Sequence, residues 1–181
     1  MMTDIQPITV VRLGHRPGRD ERTTTHVALV ARAFGANRVV LPESAGQVNE
    51  TVEDVTSRFG GDINVELVGS PMRWLRRCDT PIVHLTMYGI PVRKTLEPIR
   101  RRWTDDPLVI AVGGGKVPGD LYDLAEWNVG VTNQPHSEIA ALAVFLDRLT
   151  DGAALERSMT GGEYVVVPSE RGKHVEPRDS G

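Results

Sequence analysis

Arginines are concentrated in the segment 12–22, near the start of the chain. Its charged and titratable residues are Arg12, His15, Arg16, Arg19, Asp20, Glu21 and Arg22. Glycines and a proline within the segment are typical of a loop. Because guanidinium groups bind phosphates through two parallel hydrogen bonds, this basic loop predicts contact with a phosphorylated ligand or a nucleic acid. A solvated charged face is the alternative, and we prefer that interpretation for the arginines at 100–102.

A second loop carries three consecutive glycines, Gly113 to Gly115, followed by Lys116. Glycine lets the backbone approach a ligand closely and adopt positive φ. The loop lacks the glycine spacing of a Walker A motif, and Val117 stands where that motif needs serine or threonine. The Rossmann pattern fails at Pro118. The residues alone leave a nucleotide-binding loop and a tight turn between strand and helix equally open.

Two further loops, 86–91 and 132–138, contain residues suited to ligand binding. In the first, Met87 and Tyr88 offer apolar surface to a flat ring. A simple strand end with a Gly-Pro turn is the better interpretation of that loop taken alone. In the second, the polar residues can contact a base or a ribose, while Ser137 can also cap the helix that follows.

Short apolar runs alternate with helical patterns along the chain. Strands are predicted at 8–11, 39–41, 63–68, 82–85, 108–112, 128–131 and 165–167. Helices are predicted at 25–34, with Thr24 or Thr25 as cap, and at 47–59, 72–77, 92–102, 121–125 and 137–149. This alternation predicts an α/β fold, a mostly parallel sheet with helices on both faces. Ligands of such sheets bind beyond the carboxyl ends of the strands, where all four loops are expected.

The composition is that of one globular domain. The 181 residues carry a net charge of −3, with 40% hydrophobic and 25% charged residues, which excludes disordered, collagen-like and coiled-coil proteins. Cys78 is the single cysteine, so a disulfide framework is excluded. No apolar run approaches the roughly 18–20 residues of a membrane span, and the first residues do not resemble a signal peptide. We therefore expect a cytoplasmic protein without membrane contact, and the histidine spacing predicts no metal site.

The last predicted helix, 137–149, is apolar on nearly every face. A helix on the surface of a monomer normally keeps a polar stripe. A subunit interface would cover the extra apolar surface, so this helix predicts a homodimer. A central helix inside a monomer is the alternative.

Several long motifs resemble those of a known family. They include RLGHRP from Arg12, THVAL from Thr25, ARAFGA from Ala31, HLTMYGIP from His84, KVP from Lys116 and QPHSE from Gln134. Together they resemble the archaeal tRNA (cytidine(56)-2′-O)-methyltransferases of the SPOUT superfamily, from about residue 10 to about residue 173. Two places depart from the family: glycines at 114 and 115 replace Ala-Glu, and Thr132-Asn133 replaces Gly-Thr.

The resemblance implies a C-terminal deep trefoil knot, a homodimer and methylation of a ribose 2′-oxygen in the tRNA T-loop. It also implies S-adenosyl-L-methionine as cofactor, held by three loops. The residues of these loops are Leu85, Thr86, Met87, Tyr88, Gly89, Val112, Gly113, Gly114, Gly115, Lys116, Val117, Gly130, Val131, Thr132, Asn133, Gln134, Pro135, His136 and Ser137. The methyltransferase domain is expected to span 1–168, with a loose tail at 169–181.

The resemblance also suggests roles in the basic loop. We expect Arg22, at the end of the loop and just before the first helix, to stabilise or deprotonate the ribose hydroxyl, with Arg19 and Arg12 as alternatives. His26 or solvent would take the proton, since arginine normally stays protonated. The residues expected to bind RNA are Arg12, His15, Arg16 and Arg19, of which Arg16 and Arg19 are expected to hold phosphates. A non-catalytic RNA-binding module of the same fold and a nucleotide-dependent enzyme using the loop 113–118 remain alternatives.

Overall fold

Six parallel strands form the central sheet of the computed structural model, which describes residues 6–178. They are β1 (Ile8–Leu13), β2 (Arg38–Pro42), β3 (Asn64–Val68), β4 (Ile82–Pro91), β5 (Leu108–Gly113) and β6 (Trp127–Gly130). Their order across the sheet is β3-β2-β1-β5-β4-β6, and all neighbouring pairs are parallel. The mostly parallel sheet predicted from the sequence is confirmed.

Helices cover both faces of this sheet. They are α1 (Glu21–Ala33), α2 (Gly46–Phe59), α3 (Pro71–Arg76), α4 (Val92–Asp105), α5 (Leu121–Leu124) and α6 (Glu138–Leu149). Successive residues of β1 point to opposite faces: Val10 packs in one buried cluster with residues of α1, α2, α4 and α6, and Val11 in another with residues of α3 and α5. Because the central strands are buried on both faces, they read as continuous apolar runs in the sequence.

Helix α1 begins four residues earlier than predicted. Its N-cap is Asp20, and the Thr24 amide already donates to the Asp20 carbonyl at 2.9 Å. Thr24 is fully buried inside the helix, so the prediction that Thr24 or Thr25 caps it is wrong. Arg22 consequently lies in the first helical turn and not in the loop before it.

Strand β4 continues through the segment 86–91, which was predicted to be a loop. Leu85 and Ile90 both pair with Val129 of β6, so the four residues between them bulge out of the ladder. Gly89 lies at the crossing with β6, where an added Cβ would be 2.5 Å from backbone atoms of Asn128 and Val129. The bulge therefore needs glycine at this position, and it turns the loop residues away from the sheet.

A small antiparallel hairpin follows the main sheet. Its strands are β7 (Tyr164–Val166) and β8 (Val175–Pro177), and β7 agrees with the late strand predicted at 165–167. Residue 168 lies between these two strands, so part of the tail that was expected to be loose forms a strand. The domain boundary at residue 168 stays a prediction. Within residues 6–178, no helix has the length and hydrophobicity that crossing a membrane requires.

Candidate functional site

A cavity of about 480 Å³ opens at the carboxyl edge of β4, β5 and β6. The bulge of β4 and the loops that follow β5 and β6 form its walls. Its volume lies within the roughly 300–1,000 Å³ of small-molecule sites. We call it the first cavity.

The first cavity gathers thirteen of the nineteen residues that the resemblance assigned to the cofactor. They are Leu85, Thr86, Met87, Tyr88, Gly113, Gly115, Lys116, Val117, Val131, Thr132, Gln134, His136 and Ser137. The other six do not line it: Gly89, Val112, Gly114, Gly130, Asn133 and Pro135. Asn133 instead connects the loop after β6 to the bulge of β4, because its Nδ2 donates to the carbonyls of Met87 and Gly89, both at 2.8 Å.

Four lining residues were not predicted from the sequence: His84, Tyr122, Glu138 and Ala141. The Tyr122 hydroxyl lies 2.9 Å from Thr86 Oγ1, and its ring meets the His84 ring edge-on with centroids 4.9 Å apart. Burial lowers the pKa of His84, and the hydrogen bond to Asn128, at 2.9 Å, opposes this only in part. The His84 and Tyr122 side chains thus form a polar part of the lining that contacts the bulge of β4 through Thr86. His84 stands in a recognised motif, whereas nothing in the sequence pointed to Tyr122.

A second cavity of about 500 Å³ adjoins the first and shares Gly115, Lys116 and Glu138 with it. Arg12 enters this second cavity from the end of β1 with only 2% of its side chain exposed, and its Nη1 lies 2.8 Å from Glu138 Oε1. The alignment is not that of a hydrogen bond, and Nε has no hydrogen-bond partner in residues 6–178. A buried guanidinium with free donors is a ready anion-binding group.

His15 and Arg16 also line the second cavity. His15 Nδ1 lies 2.8 Å from Thr24 Oγ1, whereas its buried Nε2 has no hydrogen-bond partner in the described chain. Arg16 donates to both Asp20 carboxylate oxygens, at 2.9 and 3.1 Å. These hydrogen bonds lower the pKa of Asp20 to about 2 and raise that of Arg16. Three of the four residues predicted to bind RNA thus meet here.

The residues predicted to be catalytic are placed differently. Arg19, Arg22 and His26 are exposed, and none of them lines the first or the second cavity. Arg22 and His26 stand one turn apart on the outer surface of α1. Arg12, by contrast, lines the second cavity and pairs with Glu138, a residue that both cavities share.

Helix α6 begins at this junction. Ser137 caps it by accepting a hydrogen bond from the Ile139 amide at 3.1 Å, as predicted. Glu138, in the first turn, faces both cavities. A sequence profile of the family described as tRNA ribose 2′-O-methyltransferase, aTrm56, matches residues 59–176, more than half of the chain.

The chain belongs to the aTrm56 family.

Curated aTrm56-type relatives match almost the whole chain. The tRNA (cytidine(56)-2′-O)-methyltransferase of Haloarcula marismortui is 53% identical over 174 residues, covering 96% of this chain and 97% of the relative. The enzyme of the same name from Thermococcus kodakarensis is 50% identical over 172 residues, covering 93% and 96%. The family expected from the motifs is confirmed.

A solved structure supports the fold of this aTrm56 member. The SpoU methyltransferase AviRb from Streptomyces viridochromogenes, in complex with the cofactor AdoMet, superposes with a TM-score of 0.55. The match covers 82% of this chain and 58% of AviRb at 15% identity. At this identity the likeness concerns the fold alone, and the expected α/β architecture with a mostly parallel sheet is confirmed, while the C-terminal trefoil knot stays a prediction.

The first cavity fits S-adenosylmethionine, the cofactor of a methyltransferase family such as aTrm56. An added Cβ on Gly113 would collide with the Val117 side chain, while Gly115 has positive φ (+51°) and open space beside it. These glycines keep the backbone accessible to a ligand. Leu85 and Met87 line it with apolar side chains, and Gln134 and Ser137 line it with polar ones.

Proposed function

We propose that this chain methylates the ribose 2′-oxygen of cytidine 56 in tRNA. The observation that carries the proposal is that two cavities meet at Gly115, Lys116 and Glu138: one walled by the cofactor loops, the other by the basic loop. The names of relatives 53% and 50% identical over most of the chain support it. A donor and an acceptor held at one junction are what a direct transfer requires.

When bound in the first cavity, S-adenosylmethionine supplies a methyl group on a positively charged sulfur. The ribose 2′-oxygen would take the methyl group, S-adenosylhomocysteine would leave, and the hydroxyl proton would pass to solvent or to His26. We assign to Arg12 the stabilisation of negative charge, on the ribose oxygen or on the adjoining phosphate, since it lines the second cavity and its Nε has no hydrogen-bond partner in residues 6–178. Glu138 positions Arg12 through the 2.8 Å ion pair.

Arg22, Arg19 and His26 stay candidate catalytic residues in this proposal. They are exposed on the first turns of α1 and the loop before it, so they reach an acceptor only if RNA or a second copy of the chain comes to that surface. The turnover of Arg22→Lys and Arg22→Ala tests whether Arg22 takes part in catalysis. Turnover close to that of the wild type in both variants would remove Arg22 from the catalytic set and leave Arg12.

We also propose a homodimer in which α6 contributes to the interface. Ala140, Val144 and Arg148 form an exposed stripe four residues apart on this helix, and Val144 is 43% exposed. Light scattering tests the proposal: a mass near twice 19.9 kDa is expected, and the mass of one chain would contradict it. We also propose the C-terminal trefoil knot, because the chain belongs to the aTrm56 family. Because its substrate is tRNA, we place the protein in the cytoplasm.

Mapping of 2′-O-methyl groups on a tRNA transcript incubated with protein and S-adenosylmethionine tests the proposed function. We expect one modified ribose, at cytidine 56. Calorimetry separates the main alternative, since a chain that binds RNA but not S-adenosylmethionine would be a non-catalytic RNA-binding module.

A further inference from the structure

A third cavity, of about 440 Å³, lies beyond the carboxyl end of β3, apart from the two cavities already described. Its lining residues are Val68, Gly69, Ser70, Arg73, Trp74, Arg77 and Cys78. None of them belongs to the cofactor loops or the basic loop. The cavity combines cationic and aromatic side chains in one open depression.

The charged groups of this third cavity are free to bind. Arg73 and Arg77 are exposed, stand one helical turn apart, and lie within 4.0 Å of no carboxylate in residues 6–178. Their neighbour Arg76 is different, because it pairs with Asp120, and the hydrogen bond from Arg76 lowers the pKa of that carboxyl. Two unpaired guanidinium groups side by side favour an anionic partner.

Trp74 stands between the two arginines. Its ring is half-buried, and its Nε1 donates to Glu66 Oε1 at 3.1 Å, which fixes the ring against the sheet. A fixed aromatic ring flanked by guanidinium groups is a common way of holding a nucleotide, since the base stacks while the arginines bind the phosphates. The chemistry of the third cavity therefore fits an RNA strand.

The third cavity lies on the same edge of the sheet as the basic loop. β3 is two strands away from β1, which places the two strand ends about 10 Å apart at the usual strand spacing. Ser44, in the connection after β2, donates to the His15 carbonyl at 3.4 Å and so connects this segment to the basic loop. Glu43 is the acidic residue between them, with its carboxylate close to Gly69.

We propose that the third cavity is a second RNA contact, which receives a nucleotide of the same tRNA away from the methylated ribose. The inference rests on the proposed function and extends it. Basic residues at both β1 and β3 would hold the RNA at two points along one edge, and so fix its direction across the methyl-transfer site. Neither the cofactor nor the ribose is touched by this contact.

The test compares two double variants with the same change in net charge. Arg73→Gln with Arg77→Gln removes the proposed contact, while Arg58→Gln with Arg101→Gln removes two exposed arginines paired on their own helices. Binding of fluorescent tRNA is measured by anisotropy over a range of salt concentrations. The slope of log K against log salt is negative, and each lost phosphate contact makes it shallower by about 0.7–0.9.

For the first pair we expect a slope that is shallower by about 1.5, and binding at least about tenfold weaker at low salt. Its affinity for S-adenosylmethionine and its kcat at saturating tRNA should stay at the wild-type values. The control pair should keep the wild-type slope. A slope for the first pair equal to that of the control overturns the inference. So does a change of mass in light scattering, which would make the third cavity a contact between copies.

Cys78 gives a second readout in the unmodified protein, because it is the single cysteine and lines the third cavity. Bound tRNA should slow its alkylation by N-ethylmaleimide, and equal rates with and without tRNA would contradict the proposal. The two proposals fail separately. A wild-type chain that methylates tRNA but shows neither effect loses only the second contact, whereas a chain that methylates no tRNA loses the proposed function.

Discussion

Glu138→Gln perturbs the ion pair at the junction of the first and second cavities. The substitution keeps the shape of the side chain but removes the charge that lies 2.8 Å from the buried Arg12 guanidinium. Losing one partner of a buried ion pair costs about 3–5 kcal/mol. Since Glu138 is 24% exposed and water can partly replace its carboxylate, we expect Glu138→Gln to lower the free energy of unfolding by about 2–3 kcal/mol.

For a chain of this size, each kcal/mol lowers Tm by about 2–4 °C, so Tm should fall by roughly 4–12 °C. Thermal unfolding followed by circular dichroism measures the change. Glu97→Gln is the control, because its ion pair with Arg101 is exposed on both sides and should be worth less than about 1 kcal/mol.

A double-mutant cycle with Arg12→Met isolates the interaction between the two side chains. We expect a coupling energy of about 1–3 kcal/mol. A coupling near zero, or a Tm for Glu138→Gln equal to that of Glu97→Gln, would refute the reasoning that Glu138 holds Arg12 in place.

Three further predictions concern the walls of the first cavity. Burial lowers the pKa of His84, so below about pH 6.5 the unfolded chain binds a proton that the folded chain does not. The free energy of unfolding, and with it Tm, should therefore fall as the pH drops below about 6.5. In His84→Gln this dependence of Tm on pH should be flatter. Gly89→Ala places a Cβ 2.5 Å from the backbone of β6, so the free energy of unfolding measured in urea should fall by about 1–3 kcal/mol. Gly119→Ala is the control, because Gly119 has open space around it and the free energy of unfolding should change much less. Tyr122→Phe removes the 2.9 Å contact with Thr86. Calorimetry should show S-adenosylmethionine binding that is several-fold weaker, while Tm stays nearly unchanged. An unchanged affinity would exclude a role of the Tyr122 hydroxyl in cofactor binding.

The central strands could be predicted from the sequence because burial on both faces of the sheet requires continuous apolar runs. Val10 and Val11 pack into separate clusters on the two faces, so β1 reads as an uninterrupted apolar run. The start of α1 could not be predicted in this way. Asp20 caps the helix through its backbone while Arg16 takes its carboxylate, and this contact leaves no periodic pattern.

The cofactor loops were predicted through the family motifs, and the structure brings most of their residues to one cavity. The end of β4 was missed because the bulge at 86–89 depends on a crossing with β6, a partner distant in sequence. Glu138 was not among the residues predicted for the site. Its pairing with Arg12 joins β1 to α6 across more than a hundred residues, and no local spacing indicates such a contact.

The central claim is that the junction of the two cavities transfers a methyl group to one ribose of tRNA. The most direct measurement is mass-spectrometric mapping of 2′-O-methyl groups on an unmodified tRNA transcript after incubation with the protein and S-adenosylmethionine. We predict a single methylated ribose at cytidine 56, and its loss in Arg12→Ala. No methylation by the wild-type protein, methylation of a base, or methylation at another ribose would contradict the claim.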